Sequence, residues 1–277
     1  MKLSLLNATF LALALSRVAF ADGDIPCLKD ARSMTELVSC FDRYIVPEAT
    51  YDSTSYAAAQ PQGNEANVWT NTINNMLSTS CIPTPGSGPS EPVPVDGLND
   101  FQVGGFGETD ETGQPTGRYF CVLSERFYKS SGGKEYFKRG WGYVITVGQP
   151  QDAQRMLHFS APHPSADEHT PLQAAVLFRN TWAKSFVTSG RHRAAYKVNN
   201  TCISAPAGAE EPYYVTDASH NVVCSFLFSS IYHSENSLAR AFPPRVRCYS
   251  QLATGQWRMP ECLVCLSSIP RQKGKTV

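Results

Sequence analysis

The segment from 155 to 196 constrains the fold of this 277-residue chain more than any other feature. A short apolar run at 156–159 has the length and composition of a strand. Thr170 and Pro171 favour a helix start, and apolar residues follow at helical spacing. Residues 184–190 have the pattern of a second strand. The segment therefore predicts a β-loop-α-β unit.

Ionisable side chains collect in the two connecting segments of this unit. His163 and Asp167 follow the first predicted strand, and Arg191, His192 and Arg193 follow the second. If the strands are parallel neighbours, both segments lie at the carboxyl edge of one sheet, where open α/β folds bind ligands. The sequence thus predicts that these five side chains share one crevice.

The remaining chain divides into four predicted parts. Residues 1–21 have the apolar core and the Ala19-Phe20-Ala21 ending of a secretory signal. Residues 22–81 carry two helical patterns and predict a small helical appendage, and the proline-rich stretch 82–96 predicts a linker or an extended strap. Residues 97–277 predict an α/β domain with a mixed, mainly parallel sheet flanked by helices. Within these parts, the polar stretch 50–65 predicts a loop and 134–147 predicts one strand.

Secretion is the expected destination of the chain. No apolar stretch is long enough to span a bilayer well, so we expect an extracellular protein without membrane association. Removing the signal leaves 22 basic and 24 acidic residues without a basic block, which argues against nucleic-acid binding. Asn199 begins an N-glycosylation sequon, so that loop is expected to face solvent.

Nine cysteines follow the predicted signal. In an oxidising compartment they predict up to four disulfides and one remaining thiol. Cys27 and Cys40 flank a short amphipathic segment and form the first predicted pair. A second predicted pair joins Cys248 to Cys262 or Cys265 and would hold the C-terminal tail.

Three residues have the chemistry of a zinc site. Catalytic zinc usually has three protein ligands from His, Asp and Glu together with a water molecule. His163 and Asp167 form a His-x3-Asp pair on a loop stiffened by prolines, and His220, at the start of a predicted helix, is the predicted third ligand. Each also has a structural interpretation: a loop hydrogen bond for His163, support of the helix start for Asp167, and a core position for His220.

The basic cluster is the predicted substrate-facing group. Arg191 and Arg193 would bind an anionic part of the substrate or stabilise a developing oxyanion. His192 would carry a proton or replace His220 as a ligand. The two arginines could instead only pair with surface carboxylates. Glu125, at a strand end, is a candidate general base, and Glu108, in a glycine-rich stretch, is expected to be a solvated charge.

The strings SAPHPSADEHTPLQAA, SGRHR and TDASHN resemble a largely uncharacterised family of secreted fungal proteins. More distantly, they are similar to zinc-dependent carboxypeptidase-like amidohydrolases of the poly-γ-glutamate hydrolase type. The resemblance spans roughly 118–233 and implies metal ligands at His163, Asp167 and His220. The carboxypeptidase pair is His-x2-Glu where this chain has His-x3-Asp, and no residue here matches that family's catalytic glutamate.

The expected function is therefore that of a secreted hydrolase that cleaves an amide or peptide-like bond near a carboxylate with a zinc-activated water. Two alternatives remain open. One is a metal-independent phosphoester hydrolase, in which the Arg-His-Arg cluster binds phosphate. The other is a non-catalytic secreted interaction protein that is stabilised by disulfides. The substrate, the oligomeric state and the general base do not follow from the sequence.

Overall fold

The computed structural model describes residues 23–81, 92–201, 205, 207–209 and 212–218, and the backbone of three short strands nearer the C terminus. The predicted signal, His220 and the predicted pairing of Cys248 lie outside the described residues. The described helices are α1 (Cys27–Asp30), α2 (Met34–Asp42), α3 (Ser53–Ala59), α4 (Glu65–Ser78) and α5 (Thr170–Thr181). The described strands are β1 (Gly23–Asp24), β2 (Val93–Val95), β3 (Leu98–Thr109), β4 (Pro115–Glu125), β5 (Phe127–Ser131), β6 (Lys134–Phe137), β7 (Tyr143–Val147), β8 (Arg155–Ala161), β9 (Ala183–Thr188), β10 (Ser250–Gln251), β11 (Trp257–Arg258) and β12 (Leu263–Cys265).

Seven of these strands form one sheet in the order β12-β8-β9-β7-β4-β3-β2. The pairs β12–β8 and β8–β9 are parallel, and the other four pairs are antiparallel. The α/β class and the mixed sheet are thus confirmed, but the prediction of a mainly parallel sheet is wrong. A short turn can join only antiparallel neighbours such as β3 and β4, whereas α5 gives β8 and β9 the long crossover that parallel pairing needs.

Helices cover both faces of this sheet. Because side chains alternate along β7, Tyr143 and Val144 point to opposite faces. On the Tyr143 face lie α2 and α5, with buried side chains that include Phe41 and Phe178. On the Val144 face lies α4, with its buried Trp69. Helices within 22–81 therefore contribute to both cores, and the division of the chain at 82–96 stays a prediction.

Disulfides join the helices to their surroundings. The predicted pair Cys27–Cys40 is confirmed, and it ties α1 to α2. A second disulfide, Cys81–Cys121, was not predicted from the sequence and ties the end of α4 to β4. No helix within the described ranges is long and apolar enough to cross a membrane.

Two local predictions are wrong for identifiable reasons. Residues 134–147 are not one strand, because the chain breaks between β6 and β7, where Gly140 and Gly142 have φ values of +68° and +89°. Such values favour glycine. The stretch 50–65, predicted as a loop, contains α3, which begins with a capping box between Asp52 and Ser55.

Candidate functional site

The two segments that carry the predicted site residues leave the same edge of the sheet. Ala161 and Thr188 end β8 and β9, and they are register partners in the parallel pair. The Thr188 hydroxyl donates a hydrogen bond of 2.8 Å to the Ala161 carbonyl, which closes this end of the ladder. The sequence prediction of a shared carboxyl edge is therefore confirmed for the segments that begin after these residues.

One tight turn positions His163 beside Asp167. The backbone N–H groups of Ala166 and Asp167 donate to the His163 carbonyl at 3.2 and 2.9 Å. Thr170 donates both its N–H and its hydroxyl to the Asp167 carbonyl, so it anchors the turn to the start of α5. The turn brings the His163 Nδ1 atom to 3.3 Å from Asp167 Oδ2, and both side chains are buried.

A second carboxylate meets the other nitrogen of the same ring. Asp217 Oδ1 lies 2.9 Å from His163 Nε2, and Asp217 is only 4% exposed. The sequence suggests Asp217 as the N-cap of the helix that is predicted to contain His220, and this prediction concerns residues outside the described ranges. One sequence feature could have indicated that Asp217 pairs with His163. The TDASHN string places the Asp217 carboxylate three residues before the predicted ligand His220.

The two carboxylates lie at different distances from the ring nitrogens that they contact. Tetrahedral zinc, with bonds of about 2.0–2.2 Å, separates two ligand atoms by about 3.4 Å. The 3.3 Å between His163 and Asp167 fits that separation, whereas the 2.9 Å between His163 and Asp217 is an ordinary hydrogen bond. Metal-bound histidines usually donate their other N–H to a carboxylate, which is the position of Asp217.

The described residues supply only part of a metal site. In the ranges that the structure describes, no three His, Cys, Asp or Glu side chains are arranged to hold a metal ion. His163 and Asp167, two of the three predicted ligands, lie side by side, and the third, His220, is outside those ranges. An imidazole nitrogen beside a carboxylate oxygen is a donor set that suits zinc.

Arg191 is held by its backbone and buried. The Val46 N–H donates to the Gly190 carbonyl and the His192 N–H donates to the Val46 carbonyl, so the segment pairs with the chain just after α2. If Arg191 only paired with surface carboxylates, its side chain would be exposed. The residue is instead buried, with 5% exposure. Its guanidinium carbon lies 6.0 Å from the centre of the Tyr56 ring.

His192 and Arg193 are half-buried neighbours of Arg191. The His192 Nδ1 atom accepts the Ala194 N–H at 3.0 Å, and the Arg193 carbonyl accepts the Thr216 hydroxyl at 2.7 Å. A hydrogen bond from Lys197 lowers the pKa of Glu48, and the nearby His192 and Arg193 side chains act in the same direction. Both basic side chains are therefore close enough to Glu48 to influence its carboxylate.

Residues 215–217, which we call the 215–217 bridge, connect the two segments. Asp217 pairs with His163, and Thr216 donates to the backbone of Arg193. The Tyr56 hydroxyl donates to the Val215 carbonyl at 3.4 Å. Three consecutive residues thus contact the His163 turn, the Arg191–Arg193 segment and the aromatic ring beneath Arg191.

The candidate general base has a structural role. Glu125 is fully buried, and its oxygens accept the backbone N–H groups of Arg139, Trp141 and Gly142. Burial raises its pKa to about 7, against the opposing effect of these hydrogen bonds. The Glu125 oxygens accept hydrogen bonds from the backbone between β6 and β7, so Glu125 stabilises this connection. It is therefore not available to act as a general base beside His163.

Comparison with known proteins does not identify the chain. No protein-family model, no curated protein and no solved structure matches it. The geometry around His163 is therefore the basis for a functional proposal, and the resemblance to secreted fungal proteins stays a prediction.

Proposed function

We propose that this protein is a secreted, zinc-dependent hydrolase of an amide or peptide-like bond in a substrate that carries a carboxylate. The observation that supports this proposal is the buried arrangement in which one imidazole has a carboxylate at each ring nitrogen. His163 and Asp167 are the proposed ligands in the described residues, and His220 is the proposed third ligand.

The two carboxylates prepare His163 for metal binding. If Nε2 carries the proton and donates a hydrogen bond to Asp217, the lone pair of Nδ1 faces Asp167 and can bind a cation. Asp217 thereby fixes both the tautomer and the ring orientation. Burial keeps water from competing for these groups, which strengthens the attraction between the Asp167 carboxylate and a cation.

A zinc ion held by His163, Asp167 and His220 would supply an acidified water molecule and polarise a carbonyl group. Arg191, His192 and Arg193 are the proposed substrate-facing group. The arginines would bind an anionic part of the substrate, and His192 would transfer a proton to the leaving group. The near-neutral charge of the chain favours a small-molecule or peptide-like substrate over a nucleic acid.

The proposal is tested by hydrolysis of a panel of peptides and N-acyl amino acids with the full secreted protein. We expect activity that a chelator abolishes, that added zinc restores, and that His163→Ala lacks. His169→Asn is the matched control, because His169 lies in the same loop, is exposed, and has a φ of +64° that asparagine tolerates. Hydrolysis that persists undiminished with the chelator contradicts the metal-dependent mechanism.

A second candidate, metal-independent phosphoester hydrolysis, is favoured by one observation. Arg191 is buried without a carboxylate partner among the described residues, and Arg193 follows it closely. Phosphate recognition commonly uses such arginines. This function predicts cleavage of an aryl phosphate that is insensitive to chelator and inhibited by inorganic phosphate.

A further inference from the structure

Among the residues that the structure describes, the Arg191 guanidinium lacks the charge partner that its burial requires. Its Nε atom is buried and has no hydrogen-bond partner, and within 23–81, 92–201 and 212–218 no carboxylate forms an ion pair with the residue. Its neighbour on one side is the Tyr56 ring. A buried charge without a partner is strongly unfavourable, because desolvation is not offset by a counter-charge.

Arg139 shows how the same fold treats another buried arginine. Arg139 is 8% exposed and lies over an aromatic ring, Trp141, at 4.6 Å. Its two terminal nitrogens bind the Glu65 carboxylate at 3.1 and 2.8 Å, and one of them also binds the Gln60 carbonyl at 2.7 Å. The Arg139 charge is thus neutralised by the chain itself, whereas no carboxylate in the described part of the chain neutralises the Arg191 charge.

Two groups near Arg191, the Tyr51 hydroxyl and the Glu125 carboxylate, form hydrogen bonds with other residues. The Tyr51 hydroxyl donates to the Arg139 carbonyl, and burial raises the pKa of Tyr51 although the Arg191 charge opposes that rise. Glu125 also acts electrostatically on Tyr51, but its oxygens accept backbone N–H groups. Neither residue can serve as the anion that pairs with Arg191.

We infer that Arg191 binds the carboxylate of the substrate, with the Tyr56 ring as one wall of the site. This assignment deepens the proposed function, because it names the residue that selects a carboxylate-bearing substrate. Tyr56 is half-buried, so the aromatic ring beside the guanidinium is partly exposed. The planar guanidinium can bind both oxygens of a carboxylate at once.

The backbone holds this guanidinium in a fixed position. Gly190 and Gly142 approach so closely that a Cβ atom on either would collide with the backbone of the other segment. Val46 then pairs with the segment on both sides of Arg191. A preorganised receptor loses little entropy when it binds its ligand. The 215–217 bridge connects the site to His163 through Tyr56 and Asp217.

A carboxylate fits the local charge better than a phosphate. One guanidinium neutralises one negative charge, whereas a phosphate monoester carries about 1.5 to 2 charges at neutral pH. The second buried arginine nearby, Arg139, is already paired with Glu65. The nearby Glu48 carboxylate, which also binds Lys197, offsets part of the charge of Arg193.

The test compares thermal unfolding of the full protein in sodium acetate, phosphate and chloride at matched ionic strength. We expect acetate to raise the midpoint of the wild type relative to chloride, because a ligand that binds only the folded state stabilises it. Arg191→Met should abolish the acetate shift and should unfold at a higher temperature than the wild type in chloride. Arg139→Met, the matched control, should unfold at a lower temperature and keep the acetate shift.

Other variants separate this inference from the proposed function. His163→Ala should keep the acetate shift, so metal binding and anion binding can fail independently. Arg191→Lys should bind acetate at least tenfold more weakly than wild type, because lysine lacks the planar fork, and this variant decides the question if Arg191→Met does not fold. An unchanged acetate shift in either Arg191 variant overturns the inference. A larger, Arg191-dependent shift with phosphate overturns the choice of carboxylate.

Discussion

Asp217 Oδ1 lies 2.9 Å from His163 Nε2, although 54 residues separate the two in sequence. Asp167 meets the opposite nitrogen of the same ring at 3.3 Å. Both contacts are within hydrogen-bonding distance, and the longer one also matches the separation of two ligands on one ion. This difference gives the two aspartates distinct predicted roles.

Substitution of each aspartate by asparagine should affect zinc binding unequally. Asp167→Asn removes a charged ligand and should abolish measurable zinc binding. Asp217→Asn keeps an oxygen that can accept the His163 N–H, so zinc affinity should fall by about 10- to 100-fold, as for other outer carboxylates. Titration with zinc against a competing chelator measures both. Equal losses, or a greater loss in Asp217→Asn, would contradict the assignment.

Stability should decrease as pH rises from about 4.5 to 8. Burial raises the pKa of Asp42 to about 7, and one of its oxygens is buried without a hydrogen-bond partner. A carboxyl group whose folded pKa exceeds its unfolded value stabilises the fold at low pH, and that contribution is lost as pH rises through the folded pKa. Each such group contributes a slope of at most about 1.4 kcal/mol per pH unit. Glu125 acts in the same direction.

Asp42→Asn isolates the Asp42 contribution. The variant should be more stable than wild type at pH 8, and its free energy of unfolding should vary less with pH. Asp52→Asn is the control, because hydrogen bonds from Ser55 lower the pKa of Asp52 and its carboxyl stays ionised across this range. Urea unfolding at several pH values measures the slope. An identical slope in Asp42→Asn and wild type would refute the prediction.

Arg179→Met should destabilise the protein by about 3 kcal/mol, because it leaves a buried carboxylate without its cation. Arg179 Nε donates to both oxygens of Glu108 at 2.7 and 2.8 Å, and the Met34 N–H donates to one of them at 2.9 Å. The pair thus links α5 and the start of α2 to β3. Arg155→Met, at an exposed position, should change the free energy of unfolding by less than about 0.5 kcal/mol. Similar effects of the two variants in urea unfolding would rule out this role for Glu108.

The two disulfides should contribute unequally to stability. Cys27–Cys40 spans 13 residues and Cys81–Cys121 spans 40. Loop-closure entropy in the unfolded chain predicts that the free energy of unfolding falls by about 3 kcal/mol when Cys27 and Cys40 are replaced by alanine. The corresponding fall for Cys81 and Cys121 is about 4 kcal/mol. Urea unfolding of the two double variants gives the order, and a larger loss for Cys27–Cys40 would contradict it.

Local patterns in the sequence predict much of the fold. The parallel pair β8–β9 with α5 between them, the helices α2 and α4, and the Cys27–Cys40 disulfide all follow from spacing within a short segment. The four antiparallel strand pairs of the sheet do not follow from local spacing, because they depend on which strands become neighbours in the fold. The sequence could not locate Glu108 either, since its burial depends on Arg179, 71 residues away.

The site was predictable to the extent that it lies beside the two parallel strands. Their shared edge places His163, Asp167 and the Arg191 segment as expected. Asp217 was missed as a partner of His163 because that contact depends on the return of the chain after residue 212. The lack of a carboxylate partner for Arg191 in the described ranges was also not predictable, since a sequence gives residue types but not the distances between charged groups.

The central claim is that His163 is a metal ligand, and elemental analysis of the purified secreted protein tests it most directly. Wild type and His169→Asn should each contain close to one zinc ion per chain, and His163→Ala should contain almost none. Metal-free wild-type protein, or a His163→Ala variant that retains its zinc, would contradict the claim.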